Sequence, residues 1–103
     1  MKKRPRTDRR EAERDALKLA DAREKLAKLE PGGSAGRPIR VDSASVIELR
    51  AESMRCPRCD GELRVKEHTA QVVDGLALRK VDTDCKSCGT RRTIWFVIAS
   101  DLN

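Results

Sequence analysis

Apolar positions recur along this chain in three rhythms. Between residues 9 and 29 they are spaced for a helix: Ala12, Leu19 and Leu26 share one heptad position, and Ala22 and Leu29 share another. Ala, Leu, Glu, Lys and Arg dominate this stretch, and no β-branched residue interrupts it. Asp8 stands three residues before Glu11, an approximate capping box at which the helix should open. The seam is narrow, half alanine, and broken by Asp15. Asp21 with Lys25 and Glu24 with Lys28 are spaced as i,i+4 pairs worth about 0.2–0.5 kcal/mol each.

The second rhythm has period two. Ile47, Leu49 and Ala51 alternate with Glu48, Arg50 and Glu52, which predicts a half-buried strand. Ser45-x-x-Glu48 would instead open a short helix. The strand is preferred, because Val46-Ile47 is β-branched and few residues remain before Cys56. Further on, residues 63–73 and 76–84 flank Asp74-Gly75, a hairpin turn signal. A two-residue turn sets Arg64 opposite Cys85. A one-residue shift would pair Lys66 with Asp84 and His68 with Asp82, avoiding Glu67 against Asp82. Both registers stay open. The third rhythm is an unbroken run, Ile94-Trp95-Phe96-Val97-Ile98, inside a strand expected at 91–98. A run without alternation has both faces partly covered, and residues 46–51 are the natural cover.

Between these patterns, Pro31-Gly32-Gly33-Ser34-Ala35-Gly36 should end the helix and continue as a flexible linker through Arg37-Pro38. The predicted organisation is a disordered basic arm at 1–8, a charged helix at 9–30, a linker at 31–38 and a β-rich domain at 39–103. With one Trp, one Phe and no Tyr, the apolar supply is thin, so the folded part must be small and stapled. No apolar h-region follows the basic start and no run is long enough to span a membrane, so a cytoplasmic protein is expected. Net charge is +6. Residues 1–10 carry six Lys/Arg against Asp8 alone, whereas residues 56–103 carry eight against seven Asp/Glu. The basic character therefore belongs to the arm, through Lys2, Lys3, Arg4, Arg6, Arg9 and Arg10.

The staple on offer is the four cysteines, Cys56-Pro57-Arg58-Cys59 and Cys85-Lys86-Ser87-Cys88. In a reducing compartment two Cys-x-x-Cys pairs favour a metal over disulfides. Four thiolates predict one structural Zn²⁺ on Cys56, Cys59, Cys85 and Cys88. A rubredoxin-like iron site shares the spacing but is expected to be richer in aromatic residues. A thioredoxin-type redox pair needs a cysteine opening a helix, which neither pair does. Cys-Pro-x-Cys-x-Gly, a hairpin and then Cys-x-x-Cys-Gly resemble the zinc-ribbon superfamily over residues 56–98. That resemblance implies a three-stranded antiparallel sheet beneath two zinc knuckles, with room here for a fourth strand. The order of helix, linker and ribbon is similar to that of small bacterial zinc-ribbon proteins.

A closed four-thiolate site and a lone histidine, His68, leave little for catalysis, and no enzyme or small-molecule substrate is expected. His68 reads as a hairpin side chain near Asp82. Trp95 is expected to pack under residues 46–51. It also shares a strand face with Arg91 and Thr93, where it could stack a nucleobase. Two functions follow. In one, helix 9–29 docks on a protein partner and the ribbon is a scaffold. In the other, the basic arm binds nucleic-acid phosphates, with Arg91, Arg92 and Trp95 adding a contact.

Overall fold

The computed structural model describes residues 5–102, with side chains from Asp8 onward. Helix α1 spans Pro5–Leu29 and so begins four residues before the expected Arg9. Proline suits a first turn, where its missing N–H has no helical partner to lose. Asp8 lies within that first turn and not ahead of it. Lys2, Lys3 and Arg4 of the expected arm lie outside the described residues, as does the side chain of Arg6.

Strands β1 (Ile39–Val41), β2 (Leu63–Val73), β3 (Leu76–Cys85) and β4 (Arg91–Ile98) form one sheet in the order β1-β4-β3-β2. The hairpin β2–β3 and the pair β3–β4 are antiparallel. β1 runs parallel to β4, with Ile39 beside Phe96 and Val41 beside Ile98. The sheet is thus mixed and four-stranded, and its extra strand comes from residues first assigned to the start of the β-rich domain, not from 46–51.

Residues 46–51 form no strand. A 3₁₀ turn at Ala44–Val46 leads into helix α2, Ile47–Ser53. Ile47 and Ala51, one helical turn apart, are fully buried, while Leu49 is 72% exposed. Alternation and helical spacing both predict burial of Ile47 and Ala51; only Leu49 tells them apart. With β1 already occupying the edge of β4, this segment covers the sheet face as a helix. The capping box does not close: no side chain caps the N-terminus of α2, and Ser43 Oγ bonds Ser45 Oγ at 2.8 Å.

The hairpin opens in the two-residue-turn register and then slips the other way from the expected alternative, so neither Arg64 opposite Cys85 nor Lys66 opposite Asp84 is formed. From Val73↔Leu76 to Glu67↔Asp82 the pairing follows the two-residue turn; it then shifts, giving Val65↔Thr83, Arg64↔Asp84 and Leu63↔Cys85. Lys66 is the extra residue, a bulge. Its effect is on the faces of the strand. An unbroken ladder would point Arg64 and Lys66 into the core, and the one-residue slip points Leu63 and Val65 there instead. His68 stands opposite Val81 and not Asp82, with its Nε2 buried and unpartnered.

The core lies between α2 and one face of the sheet: Ile47, Ala51, Leu63, Val81, Ile94 and Phe96, continuing into Cys56 and Cys85. Trp95 is not among them. It alternates with Ile94 and Phe96 and therefore faces away from α2, half-buried. The expected cover thus lies over one face of β4 only. The linker, too, is folded. The Gly32 N–H donates to Arg37 O at 2.5 Å, and the Trp95 N–H donates to Gly32 O at 2.8 Å. Gly32 takes φ +88°, and a Cβ there would meet Ile39 Cδ1 at 2.7 Å, so the linker docks on β4 only with glycine at that point.

Candidate metal centre

Two loops of matching construction carry the cysteines. In the first, the Cys56 N–H donates to Gly61 O at 2.9 Å and the Asp60 N–H to Cys56 O at 2.8 Å. In the second, the Cys85 N–H donates to Thr90 O at 3.0 Å and the Gly89 N–H to Cys85 O at 3.0 Å. Each loop places the residue after its second cysteine in the left-handed region, Asp60 at φ 62° and Gly89 at φ +75°. The bulged hairpin and an isolated bridge between Arg55 and Glu62 hold the two loops at one end of the sheet.

There the four sulfurs come together, all within 4.8 Å of one another. Cys56 Sγ lies 3.7 Å from Cys88 Sγ, and Cys59 Sγ lies 3.4 Å from Cys85 Sγ. These are not disulfide distances. A tetrahedral ion with bonds of about 2.3 Å sets its sulfurs about 3.8 Å apart, and the cluster fits that spacing. Cys56 and Cys85 are buried, Cys59 and Cys88 exposed. The site is therefore seated on the core and open to ions from the other side.

The thiols are electrostatically unequal. The Thr90 hydroxyl, with Oγ1 3.1 Å from Cys88 Sγ, and the Thr90 backbone hold Cys88 down to about 6. The N–H groups of Cys88 and Ser87, at 3.4 and 3.3 Å from Cys85 Sγ, lower Cys85. In the first loop Cys59 is pushed up to about 12, mainly by the Cys85 sulfur beside it, and burial raises Cys56. Four thiolates do not coexist here without a cation. A metal held by Cys56, Cys59, Cys85 and Cys88 would supply the positive charge that stabilises all four in their ionised form.

Around the site the structure brings in a residue that sequence reasoning passed over. Arg58, an interior position of the first loop, reaches α1, where its Nη1 meets Asp21 Oδ1 at 2.6 Å and Glu24 Oε2 at 2.8 Å. These bonds raise the Arg58 pKa above its ordinary value, the Asp21 bond most. Asp21 and Glu24 are thereby turned away from Lys25 and Lys28, and the expected helix pairs do not form among the described residues. Ala27, buried on the same side, completes the docking face. A carboxylate pair three residues apart on a helix was the only sequence signal, and nothing in it names a partner 34 residues away.

The other predicted contacts do not assemble into one surface. Arg91 is exposed on the face of Trp95, and Arg92 points to the opposite face, half-buried, with Nη1 3.4 Å from Arg55 O. Burial lowers Arg92 below its ordinary range, against the pull of Glu30 and Cys56. Arg9 and Arg10 are exposed near the start of α1, about 18 Å along the helix from where it meets the ribbon. Among the described residues, no helix is long and apolar enough to cross a membrane. No protein-family model, curated protein or solved structure matches the chain, and the case for a metal here rests on the four sulfurs themselves.

Proposed function

We propose that this chain is a non-enzymatic, cytoplasmic interaction module whose ribbon is held by one structural Zn²⁺ on Cys56, Cys59, Cys85 and Cys88. The observation that carries the reading is the convergence of four sulfurs within 4.8 Å on two matched loops. Four thiolates close a tetrahedral shell and leave no position for a substrate, which favours a structural over a catalytic metal. The loops and hairpin keep the zinc-ribbon resemblance residue by residue at the cysteines, on a sheet with one added parallel strand. Helix α1, carried on the first loop by Arg58, is the element left to meet a protein partner.

Elemental analysis of purified protein should give one zinc per chain, and Co²⁺ substitution should give a tetrathiolate absorption band. Iron as the native metal, or no metal at all, would sink the reading. Serine at any of the four cysteines should unfold residues 56–98, because metal-binding energy is folding energy in such modules. A serine variant with native near-UV dichroism would contradict it.

A second reading, contact with nucleic acid, is favoured by Arg91, which is exposed on the same strand face as Trp95 and makes no ion pair among the described residues. Its test is a salt titration of binding to random-sequence DNA and RNA. No micromolar binding at low salt would eliminate it.

A further inference from the structure

We infer that the outward face of α1 binds a partner helix whose apolar seam is flanked by acidic side chains. The inference rests on α1 being the partner-binding element and names the chemistry of what it binds. Leu19, Leu26 and Leu29 are 53%, 60% and 65% exposed, and with Ala22 they form one stripe along the last three turns. Glu24 and Ala27, which meet the ribbon, lie on the far side of the helix at about 100° per residue. Docking on the ribbon therefore holds the stripe outward and leaves it uncovered.

The charges beside that stripe decide what fits it. Lys18 and Lys25 run along one border and Arg23 along the other. Arg58 has taken Asp21 and Glu24, the helix carboxylates nearest these cations. Among the described residues Lys18, Arg23 and Lys25 make no ion pair. Asp15 ends the stripe at one end and Glu30 follows it at the other, so its flanks between them are basic. A second copy fits poorly. In a parallel pair Lys25 would face Glu30 of the other chain but Lys18 would face Arg23, so only one of the two flanking contacts is attractive. Three leucines also fall far short of the ~800 Å² each partner gives a stable interface, so the flanking charges must contribute selectivity.

The probe is a synthetic helix of about 21 residues with leucine at the heptad a and d positions and glutamate at e and g. Its match carries lysine at e and g. Binding to the full-length, metal-loaded chain is measured by calorimetry at low and physiological salt. The glutamate peptide should bind in the micromolar range, at least about tenfold tighter than the lysine peptide. Leu26→Ser should lose at least about tenfold, and Lys18→Glu with Lys25→Glu should reverse the preference. Equal binding of the two peptides, or binding indifferent to Leu26→Ser, overturns the inference. So does a dimer seen by sedimentation and abolished by Leu26→Ser, or capture by phosphatidylserine vesicles through the same leucine without peptide preference. A loaded chain that takes the lysine peptide through Leu26 overturns the acidic partner and leaves α1 as the docking element. Metal content on the same sample reports separately on the zinc reading.

Discussion

Gly61 shows how little room the metal loops leave. A Cβ there would stand 2.8 Å from Cys85 Sγ and 2.8 Å from Ser87 Oγ, so even alanine pushes on a ligand sulfur. Gly61→Ala should lower metal affinity by about 10–100-fold, the range typical of disturbed support around a metal, as measured by chelator competition. Unchanged affinity would show that Ser87 yields instead. The folded loops hold Cys88 down to about 6 and push Cys59 up to about 12. Metal binding must expel protons from the raised thiols, so affinity falls as pH falls, and more steeply below about 6, where Cys88 protonates too. At this scale the convergence of the four cysteines was legible in their spacing. Their inequality was not, because it depends on which N–H and hydroxyl groups the folded loops aim at each sulfur.

Among the elements, α2 and the bulge at Lys66 show where a periodic pattern misleads. Ile47→Ala should cost about 2–5 kcal/mol by opening a cavity over Phe96 and Val81. Leu49→Ala should change stability by no more than about 0.5 kcal/mol. Denaturant midpoints for the two variants test the helix, since a strand would bury both residues and make both substitutions costly. The hairpin turn was plain in Asp74-Gly75, and the apolar run of β4 correctly implied cover on both faces: Ile94 and Phe96 are buried on one and Val97 on the other. The slip at Lys66 is visible only in retrospect, as a change of phase between Leu63, Val65 and the residues beyond. The linker was misjudged for a related reason. Gly32-Gly33 has the composition of a flexible segment, and its small size is what lets the backbone lie against Ile39 and Ile94.

Across the whole molecule, the Arg58 guanidinium joins α1 to a cysteine loop, and that of Arg37 holds the end of α1 through Leu29 O. Arg58 is 20% exposed in its side chain and bridges α1 to the loop that holds Cys56 and Cys59. Arg58→Ala should leave metal content at one per chain while hydrogen exchange quickens in residues 21–29, as α1 comes away from the ribbon. Slow exchange there in the variant would assign the docking to Ala27 and its neighbours alone. This joint explains why the sequence reads as separate segments and the fold does not.

The unequal loops also imply an order of events. Cys88, held down to about 6, and Cys85, lowered in the same loop, give up their protons more readily than the other pair. Cys56 and Cys59 still hold their protons and must shed them before closing over an ion. The hairpin loop is then the landing side and the first loop the clasp. Because Arg58 sits in the clasp, the bearing of α1 and its leucine stripe is tied to the loop that carries Cys56 and Cys59.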